Sequence, residues 1–490
     1  MAVSFLLSAS VLLIALFCRH ATALQHPQNI THDDGCVHLP VVHSTNANYF
    51  SSKRGVQLQL ANRSDVAYYA QLSIGTPPQP VFVQLDTGSF ELWVNPDCSK
   101  VSGPDAAFCQ RVGQYDTTKS STATALGTTR TLRYGIGSAN ISYFTDTVTL
   151  AGSPTALKGV QFGVATASED AFSGILGIGY GQGIGTKYLN FVDQLKAQNA
   201  TRVKAYTLAL GSKDAQEGVI VFGGVDTSKF AGKLAKLPVI PAEQSPDGVP
   251  RFWIDMRSVS ITPPNGVKRA YENSATPVFL DSGSTMTLLP ANLTKAIASD
   301  FGAQSADANG FYRINCSLTA INGTLDFTFD GVTVKVPYKE LIREVPTSPP
   351  TCFLGIMPSE RFTLLGDTFM RSAYTVFDLE THAIWMTQAV NCGSSPAALN
   401  SVKDLPAVIG TCGLADSSVV ESTSGTLTPS TGPENAGAGA LPTGTRTAVP
   451  ASGTGSSSGR ASSTSDAKRL SQGWGGPMVS LGVIAWLLGL

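Results

Sequence analysis

The amino-acid sequence indicates a mostly β protein whose two lobes are related by a pseudo-twofold axis and enclose a cleft. The first observation is a strand-like sequence pattern: residues 55–397 contain short runs rich in β-branched and aromatic residues, separated by Gly, Pro, Asn and Asp. The second is an internal repeat, because VQLDTGS at 83–89 returns 195 residues later as VFLDSGS at 278–284. A duplicated motif of this kind predicts two homologous halves that face each other.

Each copy of the repeat has a matching partner further along the chain. Ile175-Leu176-Gly177 follows the first copy and Leu364-Leu365-Gly366 follows the second, at nearly the same distance. We therefore predict an N-terminal lobe at 55–235 and a C-terminal lobe at 236–397. Helical periodicity is scarce, and the best short helices are predicted at 191–198 and 291–301.

Charge and histidine content exclude several classes of function. The chain has 490 residues with 34 basic and 35 acidic side chains, so it lacks the basic surplus of a nucleic-acid-binding protein. Five of its six histidines precede residue 50, and only His382 remains in the body. We therefore expect no metal centre, no cofactor and no histidine-based nucleophilic centre, unless His382 serves in one.

The N-terminus has the features of a secretory signal at 1–23. An apolar stretch from Val3 to Phe17 precedes the small residues Ala21 and Ala23, and it is shorter than the roughly 20 residues that span a bilayer. Residues 24–54 are interpreted as a propeptide that a protease specific for dibasic sites removes after Lys53-Arg54. Its four histidines suggest a pH sensor, although ordinary loop residues explain them equally well.

The C-terminus predicts attachment to a membrane. Residues 398–465 are interpreted as a stalk, because Ser, Thr, Gly, Ala and Pro dominate from 417 onward and cannot form a core. Residues 466–490 then supply a polar spacer and an apolar tail, the pattern of a GPI-attachment signal that is removed. A tail anchor is the alternative, but the tail is short for one. The predicted location is the cell surface, at the plasma membrane or in the cell wall.

Secretion also changes how the cysteines and asparagines are interpreted. Six cysteines remain in the body and allow 15 pairings, of which neighbour pairing is the simplest: Cys98 with Cys109, Cys316 with Cys352, and Cys392 with Cys412. The role of Cys36 is open. Asn-x-Ser/Thr sequons predict glycosylation at surface turns. The sequons begin at Asn29, Asn62, Asn140, Asn199, Asn292, Asn315 and Asn322.

The repeat places chemistry at the seam between the lobes. A pseudo-twofold axis brings Asp86 and Asp281 together, and two adjacent carboxyl groups cannot both ionise easily. One carboxylate can then take a proton from water while the other carboxyl polarises a carbonyl group. The predicted reaction is amide hydrolysis without a metal, and the proton belongs to the pair rather than to either residue.

With these motifs the chain resembles the pepsin-family aspartic proteases over almost the whole body. The two Asp-containing loops match the family's active-site loops, and 134–138 (YGIGS) resembles the tip of its flap hairpin. Residues 172–177 and 364–367 match its paired structural loops. The dibasic site and the C-terminal anchor are similar to those of the fungal yapsin-like, GPI-anchored proteases, some of which prefer basic residues. Glu91, Glu169 and Asp170 would then supply negative charge, unless they are ordinary surface residues.

The resemblance implies a role for each matching residue. Asp86 and Asp281 are the expected catalytic pair, with Thr87, Ser89, Trp93 and Ser282 in support. The expected substrate-binding residues are Gly88, Tyr134, Gly137, Gly283, Ser284, Thr285, Phe172 and Ile175. Core packing is the alternative for Trp93, Phe172 and Ile175. Tyr134 is expected to bond to the Trp93 indole, and Thr87 and Ser282 to form hydrogen bonds between the lobes.

The expected function is therefore a monomeric aspartic endopeptidase that acts on proteins or peptides. Two other classes stay open: an inactive peptide-binding protein on the same fold, and a cell-surface structural glycoprotein. The intact Asp and Gly residues of both loops argue against the first, and the duplicated loops argue against the second.

Overall fold

The computed structural model describes residues 35–43, 67–101, 104–150, 155–215, 217–345 and 347–413. The predicted signal, most of the predicted propeptide, the sequons at Asn29 and Asn62, and the GPI signal lie outside the described residues. No helix within the described ranges is long and apolar enough to cross a membrane.

Strands dominate this part of the chain, as the short runs of β-branched and aromatic residues predict. Up to residue 238 they are β1 (Val37–His43), β2 (Tyr68–Ile74), β3 (Gln79–Asp86), β4 (Leu92–Val94), β5 (Thr124–Arg133), β6 (Ser138–Leu150), β7 (Ala156–Glu169), β8 (Gly174–Gly177), β9 (Ala205–Ala209), β10 (Glu217–Phe222), β11 (Gly224–Asp226), β12 (Ala231–Lys233) and β13 (Ala235–Pro238).

The remaining sixteen strands of the described ranges lie between residues 253 and 411. They are β14 (Trp253–Met256), β15 (Ser258–Thr262), β16 (Arg269–Ala270), β17 (Thr276–Leu280), β18 (Thr287–Pro290), β19 (Arg313–Ile314), β20 (Thr324–Phe329), β21 (Val332–Pro337), β22 (Ile342–Val345), β23 (Thr351–Leu354), β24 (Ile356–Ser359), β25 (Leu364–Leu365), β26 (Ala373–Asp378), β27 (Ala383–Gln388), β28 (Pro396–Ala398) and β29 (Ile409–Thr411).

Helices are short in the described residues, and both predicted helices are confirmed. They are α1 (Pro104–Arg111), α2 (Phe191–Ala197), α3 (Ala291–Asp300), α4 (Tyr338–Leu341) and α5 (Asp367–Met370). Helix α2 begins at a capping box, in which the Asn190 side chain accepts from the Asp193 N–H and the Asp193 side chain accepts from the Asn190 N–H. Short 3-10 turns lie at 98–100, 117–119, 227–229, 242–244, 316–320 and 402–407.

The internal repeat is a repeat of structure as well as of sequence. In the first copy β3 runs parallel to β8, so that Asp86 lies opposite Gly177. In the second copy β17 runs parallel to β25, with Leu280 opposite Leu365. Each aspartate therefore leaves a buried strand at the same point of an equivalent pair, as the duplicated motif predicts. A 13-stranded sheet that includes β9, β26 and β27 connects the halves.

Strand β1 belongs to this large sheet although it lies within the predicted propeptide. It pairs antiparallel with β10 from Val37 to Val42 and then with β2. Alternate side chains of β1 face the core, and Val37, Leu39 and Val41 are all buried. Segment 37–43 is therefore an integral strand of the described fold.

The folded body extends further than the sequence predicts. The stalk was predicted to begin at residue 398, but residues 396–413 form β28, a 3-10 turn and β29, which pair with β11 and β12. Leu399 and Leu405 are buried against the main sheet and hold this segment to the body. Because most residues around them are small or polar, the sequence gives little indication of this packing. The boundary at 397/398 is therefore wrong, and the described body reaches residue 413.

The disulfides confirm the neighbour pairing. The structure joins Cys98 to Cys109, Cys316 to Cys352 and Cys392 to Cys412. Cys36 is buried and belongs to none of these three disulfides.

The five sequon asparagines within the described residues are all exposed, which leaves them accessible for modification. They are Asn140, Asn199, Asn292, Asn315 and Asn322.

Candidate active site

The two repeated loops bring Asp86 and Asp281 together at the floor of a cleft with a volume of about 630 Å³. A Cβ on Gly283 would lie 2.5 Å from the Asp86 Oδ1 and 3.1 Å from the Asp281 Oδ1, so the two carboxyl groups lie side by side. The loop glycines permit this approach, because a Cβ on Gly88 would lie 2.5 Å from the Asp281 Oδ1 and one on Gly283 equally close to the Asp86 Oδ1. Glycine at both positions is therefore a requirement of the paired carboxyls.

Beneath the pair, Thr87 and Ser282 form the expected hydrogen bonds between the lobes. The Thr87 hydroxyl donates to the Leu280 carbonyl oxygen and accepts from the Ser282 N–H, both at 2.9 Å. The Ser282 hydroxyl donates to the Leu85 carbonyl oxygen at 2.9 Å and accepts from the Thr87 N–H at 3.2 Å. Both side chains are fully buried, so these four bonds fix the spacing of the aspartates above them.

The surroundings of the two carboxyls differ. Asp86 accepts from the Gly88 N–H at 2.8 Å and from the Ser89 hydroxyl at 2.5 Å, whereas Asp281 accepts from the Gly283 N–H at 3.0 Å. Burial, followed by the charge of Asp86, raises the pKa of Asp281 well above its usual value. Asp281 therefore keeps its proton beside the Asp86 carboxyl, so the pair can provide an acid and a base together.

The hairpin of β5 and β6 covers this floor and carries Tyr134 near its tip. The Trp93 indole N–H donates to the Tyr134 hydroxyl at 2.7 Å, as the resemblance implies. Burial and the charge of Asp86 hold the pKa of Tyr134 well above its ordinary value, so the hydroxyl keeps its proton as a donor. Trp93 itself is fully buried, so it supports Tyr134 from below.

Glu91 is a buried anchor for this hairpin. It is only 5% exposed, and its Oε1 accepts from the Arg130 guanidinium on β5. Its Oε2 accepts from the hydroxyls of Tyr143 at 2.5 Å and Tyr188 at 3.2 Å. The carboxylate suggested as a site for basic substrates is thus fully engaged by the protein, and it ties the flap strand to the segment behind Asp86.

The carbonyl groups of the loop glycines bind side chains from the opposite lobe. Gln84 donates from Nε2 to the Gly283 carbonyl oxygen at 3.0 Å, and Arg251 donates from Nη1 to the Gly88 carbonyl oxygen. Arg251 also forms an ion pair with Asp247 at 2.9 Å, and its charge lowers the pKa of Asp281 against the effect of burial. Sequence reasoning missed both residues. A glutamine in an apolar strand was a signal for Gln84, and nothing marked Arg251.

The predicted binding residues divide into two groups. Gly88, Tyr134, Gly283, Ser284, Thr285 and Ile175 line the cleft. Phe172 does not; it is 5% exposed and packs with Tyr69, Phe82 and Phe108 in a separate cluster, so the core alternative is correct for it. Gly137 also lies outside the cleft lining. Its φ of +78° is a backbone conformation that favours glycine, so its role is in the turn of the hairpin.

Among the described residues no group of three or more His, Cys, Asp or Glu side chains has the geometry of a metal site. The cleft lining includes two adjacent carboxyls, the Tyr134 side chain and the loop glycines.

Comparison with known proteins agrees with this geometry. The family model described as eukaryotic aspartyl protease matches residues 67–389. The acid protease of Saccharomycopsis fibuligera is 32% identical over 351 residues, which cover 69% of this chain and 85% of that protein. Candidapepsin-3 of Candida albicans is 34% identical over 362 residues, covering 70% and 84% of the two chains.

Two further similarities extend the picture. The probable aspartic-type endopeptidase opsB of Aspergillus oryzae is 32% identical over 371 residues, which cover 72% of this chain and 73% of that one. The crystal structure of an aspartic proteinase from Irpex lacteus superposes with a TM-score of 0.54 at 21% identity, and the match covers 72% of this chain and 98% of that chain. The latter shows that the fold is shared.

Proposed function

Because the chain belongs to the eukaryotic aspartyl protease family and is an aspartic-type endopeptidase, we propose that Asp86 and Asp281 are its catalytic pair. The observation that supports this assignment is the side-by-side placement of the two carboxyls at the floor of the cleft. The cleft lies open along the seam between the lobes and is complete within one chain, so the enzyme acts as a monomer on an extended peptide.

The proposed reaction uses the asymmetry of the pair. Ionised Asp86 removes a proton from water as the water oxygen attacks the carbonyl carbon of the scissile bond. Protonated Asp281 donates to the carbonyl oxygen, which gives a tetrahedral diol. The amine nitrogen then takes the proton held by Asp86 as the C–N bond breaks, and a diol hydroxyl returns a proton to Asp281 as the new carboxyl group forms. Tyr134 closes the flap over the substrate and excludes bulk water from it.

The test is proteolysis at acid pH by the purified chain, inhibited by pepstatin and lost in Asp86→Asn. Asp330→Asn is the matched control, since it makes the same change at an exposed carboxyl outside the cleft. If Asp86→Asn cuts as fast as the wild type, the assignment of the pair is wrong. A folded wild type that binds peptides without cutting them would favour the inactive binding protein instead.

We also propose that the chain is secreted, glycosylated and held at the cell surface by a GPI anchor. Three disulfides, five exposed sequon asparagines and relatives named as secreted aspartic proteases support the secretory route. The anchor rests on the sequence pattern of residues 466–490. Release of the active enzyme from intact cells by a phosphatidylinositol-specific phospholipase C tests it, with a chain truncated at 465 as the control, which should appear directly in the medium.

Maturation is proposed to proceed by cleavage after Lys53-Arg54 by a protease specific for dibasic sites. N-terminal sequencing of the cell-surface enzyme tests this, and Lys53→Ala with Arg54→Ala should leave a longer chain. Detection of the same N-terminus in that variant would exclude dibasic processing.

A further inference from the structure

Six charged residues line the cleft outside the catalytic pair, and positive charge prevails among them. Two are carboxylates and four are arginines. They are Glu91, Asp170, Arg130, Arg133, Arg251 and Arg361. Their distribution over the two walls of the cleft determines which substrate side chains each wall attracts.

Both signs of charge occur on the flap side. Glu91 forms an ion pair with Arg130, and its second oxygen accepts from tyrosine hydroxyls. Arg133 lies opposite Ser138 in the hairpin, and Ser138 lies opposite Glu169, so one arginine and the adjacent carboxylates of Glu169 and Asp170 lie at the same rim. A basic substrate side chain would have to displace Arg130 to reach Glu91.

Two arginines lie on the wall from the C-terminal lobe, and only Arg251 of the two has an ion-pair partner among the described residues. The Arg251 guanidinium lies 5.0 Å from the centre of the Phe279 ring, and Phe279 contacts Phe362 with ring centres 5.9 Å apart. Arg361 adjoins Phe362 and lines the cleft with an exposed side chain. Together these four residues are here called the aromatic-arginine wall, in which the partly exposed Phe362 ring lies on the buried Phe279 ring, with an arginine next to each.

The two arginines of this wall differ in their freedom. Arg251 is held by Asp247 and the Gly88 carbonyl oxygen, so its position is fixed beside the catalytic loop. Arg361 forms no ion pair with any described residue, although it is exposed. Its guanidinium carries five N–H donors suited to a carboxylate.

We propose that the aromatic-arginine wall is a specificity-determining surface that binds an acidic side chain of the substrate, through Arg361 and the fixed charge of Arg251. The aliphatic part of a glutamate packs on Phe362 while its carboxylate meets Arg361. This inference rests on the proposed function and names the substrate class, peptides with an acidic residue near the scissile bond. A basic preference is the competing hypothesis, and the same experiment distinguishes the two.

The test compares matched peptides that carry Glu or Gln at each position around one cleaved bond. At one position we expect kcat/KM for the Glu peptide to exceed that for the Gln peptide by about threefold to tenfold at pH 5.5, as for a partly exposed charge pair. At pH 3 the ratio should return to about one, because a glutamate side chain with a pKa of about 4.3 is then neutral.

Arg361→Gln should remove most of this preference, measured as the ratio of kcat/KM for the Glu and Gln peptides within that variant. Arg313→Gln is the matched control, because Arg313 is an exposed arginine of the same lobe outside the cleft lining, and it should keep the full ratio. Cleavage of the Gln peptide separates the two proposals: if no peptide is cut, the proposed function fails. If peptides are cut with a Glu-to-Gln ratio near one at every position, or with enrichment of Lys or Arg, the acidic preference is wrong.

Discussion

Replacing Thr87 with valine removes a hydroxyl from the bonds beneath the catalytic pair and keeps the shape of the side chain. The change leaves the Leu280 carbonyl oxygen and the Ser282 N–H without their partner in a fully buried site. Each such group costs about 1–3 kcal/mol, so the free energy of unfolding should fall by about 2–6 kcal/mol. That is a large fraction of the roughly 5–15 kcal/mol typical of folded domains.

The same variant should lose activity, because the spacing of Asp86 and Asp281 depends on these bonds. A misplacement of about 1 Å can lower a rate by about 100-fold, so we expect kcat to fall between about tenfold and 100-fold. Urea denaturation measures the stability and steady-state hydrolysis of one peptide measures kcat. Thr87→Ser keeps the hydroxyl and should restore both.

Thr375→Val is the matched control for this experiment. The Thr375 hydroxyl is equally buried but donates a single bond of 3.2 Å, to the Leu208 carbonyl oxygen within the large sheet. Its loss should cost about 1 kcal/mol and leave kcat unchanged. If Thr87→Val costs no more than Thr375→Val and retains full kcat, the bonds between the lobes do not position the carboxyls.

Three further outcomes are expected. Because the pKa of Asp281 is raised, its contribution to stability is fully present below about pH 4 and is lost as the pH rises through the raised value; Asp281→Asn should therefore unfold at higher urea than the wild type at pH 7, with a smaller difference at pH 4. Glu91→Gln should weaken the tie to Arg130 on the flap strand and raise KM by about threefold to tenfold with little change in kcat, which peptide kinetics will measure. Burial lowers the pKa of His38 below 6.5, so the docking of segment 37–43 is strongest above pH 6.5 and weakens as the pH falls. The protection factors of these amides, in which the pH dependence of intrinsic hydrogen exchange is divided out, should fall between pH 7 and pH 5 in the wild type but not in His38→Gln.

Short-range sequence features predicted much of the fold. The strand that precedes each aspartate, the glycine after each hydroxyl residue and the helices near 191 and 291 are properties of a few contiguous residues. The neighbour pairing of cysteines was also correct, since each closes a loop of 11 to 36 residues within one lobe. The end of the body was predicted wrongly, because two buried leucines in a Ser-rich segment give a weak local signal.

The tertiary structure changed the assignment of two side chains, Phe172 and Glu91. Phe172 adjoins cleft-lining residues in sequence, but its ring turns away from the cleft and packs on Tyr69 and Phe108. Glu91 follows the catalytic loop and suggested a free negative charge, yet Arg130 and two tyrosines surround it. In both cases the partners lie far away in the chain, so no pattern near the residue predicts them.

The amino-acid sequence by itself determined that two equivalent turns each present an aspartate at the end of a buried strand. Both features depend on a few contiguous residues: β-branched and aromatic residues favour the strand, and the Asp-x-Gly sequence favours the turn. Only the tertiary structure decided how the charge around that pair is arranged. Arg251 reaches the Gly88 carbonyl oxygen across 163 residues of chain, and Arg361 lies in the same wall. The strength of a charge contact depends on distance and burial, and these are fixed only when the two lobes pack together.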